Sequence, residues 1–308
     1  NVAPMPLYKV AHKQLEPIKE HPFKFEKDVQ VIVENNLGSL FGLRLVRSEF
    51  QLGGLRIDTL AFDKDAQAFV IIEYKKGSNY SVVDQGMSYL GLMLNNKAEF
   101  ILEYNERCNG SLKRDDVDWS QSRVVFISPS FTTFQLEAIN FKDLPIELWE
   151  VRRYANNTVR FDQHKPASAV ASIKTVSKKS EVVEAITREV KAYTEEGHLK
   201  TAQPNIAALY ARFRELVLSI SPDISVKPMK QYIAFRCKTN ITDVVVLNKT
   251  LKIFINLPKG KLDDPKKLAR DVSEVGHWGN GDYQIQISSD DELEYIISLV
   301  RQSYKVNS

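Results

Sequence analysis

Two adjacent apolar runs that carry charge constrain this chain more than any other feature. Arg56-Ile-Asp58-Thr-Leu-Ala-Phe-Asp63 is followed by Phe69-Val-Ile-Ile-Glu73-Tyr-Lys75-Lys76. Val, Ile, Leu and Phe dominate both, and Asp63, Lys64 and Asp65 supply a turn between them, so both read as buried β-strands. Side chains alternate faces along a strand. Glu73 and Lys75 therefore point the same way, and Asp58 shares a face with Arg56 and Leu60 next door. Isolated charge is costly inside a protein unless it is paired or bound to metal. Two carboxylates and an ammonium converging on an apolar sheet point to a use for them.

The chain has 308 residues and is 43% hydrophobic, enough for two domains with real cores. Lys and Arg number 42 against 39 Asp and Glu, a net charge of +3 that permits a nucleic-acid partner without demanding one. The two cysteines, Cys108 and Cys237, are far apart and form no CxxC or Cys/His cluster. That argues against structural zinc and a disulfide framework and fits a reduced, cytoplasmic protein. No apolar run is long enough to span a membrane, and the N-terminus has no signal-peptide pattern. Met5-Pro-Leu-Tyr reads as a natural start, which leaves Asn1 to Pro4 as added residues.

The chain divides into residues 1–161, a small, polar and basic linker at 162–180, and residues 181–308. Residues 5–25, with Pro17 and Pro22, read as an irregular arm. Helical spacing of Val29, Ile32, Val33 and Leu37 predicts a helix from Glu26 to Leu37. A strand from Leu43 to Phe50 leads to the Gly53-Gly54 turn and the two central strands. Ser81–Asn95 reads as a helix, Lys97–Glu106 as helical or turn-rich, 123–128 as a buried strand, 133–140 as a helix and 146–154 as a strand. This order gives an α/β domain with a mixed sheet and helices on both faces. In the second half, helices are expected at 181–193, 206–220, 265–272 and 289–304, with strands at 230–237, 243–247, 251–257 and 281–287. That half is a smaller α+β domain.

Two acids that ligate a divalent metal, with a lysine beside them, can cleave a phosphodiester. Carboxylates hold Mg2+ or Mn2+, hard ions that prefer oxygen. The metal polarises the phosphate and activates water, and the lysine positions or deprotonates that water or neutralises developing charge. Asp58, Glu73 and Lys75 fit these roles. Glu26, Gln30 and Glu34 lie along one face of the first helix, from which a carboxylate can reach the same patch. Gln85 and Tyr89, one turn apart on the next helix, can face the site. Arg56 is suited to a phosphate or to a neighbouring acid, and Lys76 to solvent or to the DNA backbone.

The helix Glu, Arg56-Ile-Asp58-Thr-Leu, Val70-Ile-Ile-Glu73-Tyr-Lys75 and Asp84-Gln85-Gly-x-x-Tyr89 together resemble the PD-(D/E)xK nuclease superfamily. Within it, residues 22–155 look like the branch that contains the NucS-type endonuclease domain. The resemblance implies a restriction-endonuclease-like core and a metal site at Asp58 and Glu73, with the Tyr74 carbonyl as an added ligand. It also implies a catalytic Lys75, an accessory Gln85, and a helix carboxylate best matched by Glu26, with Glu34 the alternative. Ile57 stands where the superfamily has its proline, and some members are inactive.

The C-terminal part, through Lys259-Gly260, Asp263-Asp264-Pro265, Gly276 to Tyr283 and Arg301 to Tyr304, looks like a small bacterial domain of uncharacterised function. Some proteins of this layout are labelled predicted transport proteins. Gly276, Gly279 and Gly281 allow positive φ, so His277, Trp278, Asn280 and Tyr283 read either as a structural turn or as a loop that stacks on a base. The functional expectation is a Mg2+- or Mn2+-dependent nuclease on DNA, whose C-terminal domain recognises substrate, forms a homodimer or docks a partner. The rival readings are a nucleic-acid-binding or regulatory module without turnover, and a scaffold with no nucleic acid.

Overall fold

The computed structural model describes residues 6–77, 80–141, 144–164, 193–274 and 279–308. It divides into two compact units, Asn1–Lys191 and Ala192–Ser308. The two apolar runs form the middle of a six-stranded mixed sheet in the first unit. Strands β3 (Arg44–Leu52), β4 (Leu55–Asp63) and β5 (Ala68–Tyr74) make an antiparallel meander. Gly53 and Gly54 supply the positive φ that its first turn needs. Strands β6 (Arg123–Ser128) and β7 (Ile146–Arg153) continue in parallel, and β8 (Val159–His164) closes the edge antiparallel.

Every residue of β5 is buried, because helices cover both faces. Helices α1 (Glu26–Asn35) and α2 (Leu37–Phe41) pack Val29, Val33 and Leu37 against Ala61, Val70 and Ile72 on one face. Helices α3 (Val82–Asn95) and α4 (Lys97–Cys108) pack Leu90, Met93 and Phe100 against Leu60, Phe69 and Ile71 on the other. A short helix, α5 (Thr133–Ala138), starts from a Thr132 capping box. The expected mixed α/β sheet, flanked by helices and followed by a smaller α+β unit, is the architecture observed.

Three local expectations are corrected. Residues 7–18 are not irregular: β1 (Leu7–Ala11) and β2 (Gln14–Ile18) pair as a hairpin. His12 and Lys13 both adopt positive φ, which closes a two-residue turn whose twist suits paired strands. Residues 265–272 are not a helix. Lys267 has a positive φ of 51°, the Asp264 carboxylate accepts the Ala269 amide at 2.8 Å, and Arg270–Asp271 pairs with a strand instead. Residues 162–164, expected to begin the linker, belong to β8; the rest of the linker and residues 181–192 lie outside the described residues.

The second unit is a six-stranded antiparallel sheet. Its strands are β9 (Ser225–Pro228), β10 (Ile233–Arg236), β11 (Asn240–Val246), β12 (Leu251–Ile255), β13 (Arg270–Asp271) and β14 (Tyr283–Ile287), in the order β13-β14-β12-β11-β10-β9. After α6 (Glu195–Leu199), helices α7 (Pro204–Leu218) and α8 (Leu293–Asn307) pack Phe213, Val217, Ile296 and Val300 on one face of it. The glycine-rich turn is structural at its described end. A Cβ on Gly281 would sit 2.2 Å from the Ile255 carbonyl oxygen. Buried Asp243 accepts the Asn280 amide at 2.6 Å, and Tyr283 accepts the Gly260 amide. His277 and Trp278 lie outside the described residues. Among the described residues, no helix is long and apolar enough to cross a membrane.

The far end of the central strands is tied by buried charge. Arg123 on β6 meets Asp63 on β4 at 3.1 Å and Glu147 on β7 at 2.8 Å. Removing Arg123 takes the counter-charge from both acids and leaves them only neutral donors: the Asp65 and Ala66 amides for Asp63, and the Trp149 and Gln163 side chains for Glu147. Arg123→Met is expected to cost about 3–5 kcal/mol, read as a lower urea midpoint by circular dichroism.

Candidate functional site

The strands of the meander part where the acids stand. Pairing of β4 with β5 stops at Thr59 and Ile72, so Asp58 and Glu73, which come next, are not held in the ladder. On the other side of β4, Glu49 lies opposite Asp58 in the register and takes a positive φ of 54°, a conformation rare for a non-glycine residue. The Asp58 side chain fills the gap: its Oδ2 accepts the Tyr74 amide at 3.2 Å, where a strand carbonyl would otherwise sit. The N–H and C=O of one strand residue point the same way, so the Tyr74 carbonyl is directed into this gap as well.

Glu73 is almost entirely buried, with a side chain 5% exposed. Lys75 Nζ donates to its Oε1 at 3.1 Å, which bears out their shared face. Its Oε2 is buried with no hydrogen-bond partner. Burial first, and then the Asp58 carboxylate, push the Glu73 carboxyl up to about 7, with Lys75 opposing. Burial also raises Asp58, against the pull of the Tyr74 amide. Two carboxylates held this close resist ionising together. Lys75 is 22% exposed and lies 5.7 Å from the centre of the Tyr80 ring, so the lysine is the member of the group that most reaches solvent. Burial lifts the Tyr80 hydroxyl to about 12, which keeps it a neutral neighbour.

Beneath the gap, on the α1 face, lies a hydrogen-bond network. The buried Gln30 side chain donates to the Asp58 carbonyl at 2.9 Å, to Glu34 at 2.9 Å and to Ser48 at 3.2 Å. Thr59 donates to Glu34 at 2.6 Å and also meets the Tyr74 hydroxyl at 3.1 Å. Glu34 therefore ties α1 to β4 through Thr59, which in turn meets β5, and is not a solvated helix end. Gln30 and Thr59 were missed as site residues. Their signal is faint: a polar side chain within the aliphatic stripe of Val29 and Val33, and a threonine within an apolar strand.

The remaining candidates fall into place around the acids. Glu26 is not brought to the pair. Its carboxylate accepts the Lys76 amide at 2.6 Å, pinning the end of β5 to the start of α1. Lys76 Nζ donates to the Lys24 carbonyl. Arg56, largely exposed, pairs with Glu49 at 3.1 Å and approaches Asp58 at 3.8 Å. Gln85 reaches the Tyr89 hydroxyl at 3.4 Å, and that hydroxyl donates to the Arg56 carbonyl. The Glu73 charge, after burial, raises the Tyr89 hydroxyl, so α3 does face the site.

Among the described residues, no group of three or more His, Cys, Asp or Glu side chains gathers to hold a metal. Mg2+, however, keeps several waters and is commonly held by one or two carboxylates. The donor set of Asp58, Glu73 and the Tyr74 carbonyl is all oxygen, and the unpartnered Glu73 Oε2 has unused capacity. These residues fit such an ion.

Residues 195–307 match a family described as a domain of unknown function, DUF5655. The chain is 52% identical over 292 residues to a Haemophilus influenzae protein named "Uncharacterized protein", covering 95% of this chain and 97% of that one. Among solved structures, a complex of EndoMS with double-stranded DNA is similar at 14% identity and a TM-score of 0.29, over 42% of this chain and 47% of that one. A repair endonuclease from Pyrococcus abyssi is similar at 15% identity and a TM-score of 0.25, over 45% and 55%. The chain thus spans about half the length of the solved structures it matches.

A carboxyl raised by folding adds stability below its ordinary range, and that stability is lost as pH rises through the folded value. For Glu73 the window runs from about 4.5 to about 7. Glu73→Gln keeps the shape without the charge. It is expected to gain on the order of 2 kcal/mol over the parent between pH 5 and pH 8, measured by urea unfolding at both values.

Proposed function

The chain belongs to the same family as the Haemophilus influenzae protein, and we propose that its first unit is a divalent-metal-dependent nuclease that hydrolyses phosphodiester bonds in DNA. One observation carries this reading. Two crowded carboxylates, one with an orphaned buried oxygen, stand beside a lysine where the strands part. A buried oxygen without a partner calls for an explanation, and between two carboxylates and a lysine a bound cation supplies one.

Asp58, Glu73 and the Tyr74 carbonyl would hold Mg2+ or Mn2+. Bound there, the ion would polarise a phosphate and lower the pKa of an attacking water. Lys75, ion-paired to Glu73 and partly exposed, stands where it can order a nucleophile and neutralise charge growing on the phosphate oxygens. Arg56 at the mouth can exchange Glu49 for a phosphate, a trade of one charge-assisted partner for another. Gln85 and Tyr89 buttress the wall beside Glu73 and keep α3 tied to β4. Gln30 fixes the Asp58 backbone from behind. Glu26 acts at one remove, by pinning the amide that follows Lys75.

Metal ligands must be deprotonated, so cleavage is expected to rise with pH as Glu73 titrates around 7. With Mn2+, the purified chain is expected to cut plasmid or linear DNA, and excess chelator should stop it. Asp58→Ala and Lys75→Ala should each lower the rate at least about a hundredfold, by gel assay of a labelled substrate. DNA retention without cleavage, unchanged in Asp58→Ala, would select the binding module without turnover. Failure to bind or cut any nucleic acid would select the scaffold.

A further inference from the structure

We propose that the β1–β2 hairpin is an arm that grips duplex DNA beside the candidate active site; this rests on the nuclease reading and names its substrate as double-stranded. The hairpin is poorly explained as part of the fold. Tyr8 is 44%, Val10 72% and Leu15 64% exposed. In the register Tyr8 stands opposite Pro17, and Val10 opposite Leu15, so these four share one face. A lone two-stranded ribbon with an apolar face in water is marginally stable, and single-face apolar exposure of this kind marks an interaction surface.

The charge chooses the partner. His12 and Lys13 form the tip, and Lys9 lies on the opposite face with Glu16 across from it. Among the described residues, Lys9, Lys13 and Lys19 have no ion-pair partner. Unpaired cations around an apolar face are the makings of a groove binder: cations meet phosphates, and apolar side chains meet the thymine methyl groups. A two-stranded ribbon fits the major groove of B-DNA, and five residues per strand give it a reach of roughly 17 Å.

The stem is fastened to the rim of the site. Ala155 donates to the Lys19 carbonyl at 2.9 Å, and His21 donates to the Arg153 carbonyl at 2.7 Å. Phe23 is buried in the α1 face core. The Lys24 carbonyl accepts Lys76 Nζ at 2.7 Å, and Lys76 directly follows Lys75. The ribbon therefore leaves the domain from the strand end that carries the lysine, and DNA held by it passes the site.

The test is fluorescence anisotropy of a labelled 30-base-pair duplex of roughly mixed sequence, read in chelator so that nothing is cut. Lys9→Glu with Lys13→Glu is expected to weaken duplex binding at least about tenfold and to flatten the slope of log affinity against log salt by about 2. Val10→Ser with Leu15→Ser should also weaken duplex binding, and single-stranded DNA binding should change less in both. Parental affinity and slope in both variants would overturn the arm, as would a full chain that binds no duplex. A fall in oligomeric size of the Val10/Leu15 variant with unchanged DNA binding would assign the face to a second copy and overturn it too. If the parent never cuts DNA with Mn2+ yet the arm variants lose duplex binding, the arm stands and the nuclease reading fails. If the parent cuts, Asp58→Ala does not, and the arm variants bind and cut like the parent, the nuclease reading stands and the arm fails.

Discussion

Everything at the candidate site follows from the place where β4 and β5 stop pairing. One residue further on the ladder would have engaged Asp58 and Glu73 as ordinary strand neighbours. Instead the Asp58 side chain takes the Tyr74 amide for itself, and Glu73 is left buried with an oxygen that nothing satisfies. Burial raises both carboxyls, and the Asp58 charge raises Glu73 further. A carboxylate pair at close range is unstable in the charged form unless a cation joins it, and the lysine supplies only one positive charge. The site is thus a local destabilisation that a divalent ion would relieve, a common bargain between stability and function.

The surrounding fold is built to hold that gap in shape. Gln30 clamps the Asp58 carbonyl, Thr59 and Glu34 couple β4 to the Tyr74 ring, and Glu26 fixes the amide beyond Lys75. At the opposite end of the same strands the Arg123 group binds β4, β6 and β7 together. One end of the sheet is closed by opposite charges in contact, the other parted around two like charges and a single lysine. The positive φ of Glu49, directly across from Asp58, belongs to the same distortion; strained residues of this kind gather at functional sites.

Much of this was legible from residue patterns, for identifiable reasons. Period-two alternation places Glu73 and Lys75 on one face whatever the details of packing, and the apolar runs could only be central strands. The helical stripe of Val29 and Val33 fixed which side of α1 is buried. Other features were hidden because they depend on pairing between distant residues. No local signal says that pairing ends at Thr59, that the Glu26 carboxylate is used by a backbone amide, or that Glu34 bonds a threonine on another strand. The β1–β2 hairpin escaped notice because its turn uses His12 and Lys13 in place of the Asn-Gly that usually marks positive φ. The helix expected at 265–272 does not form because the Asp264 side chain offers the backbone a competing bond.

The central claim is that the two crowded carboxyls form a cation site that must shed a proton to fill. Isothermal titration of Mn2+ into the full chain near pH 6, repeated in buffers of different ionisation enthalpy, measures both ion and proton. The account predicts one ion per chain with release of roughly one proton, and loss of both in Asp58→Ala. Binding without proton release, or binding that survives Asp58→Ala, would contradict it.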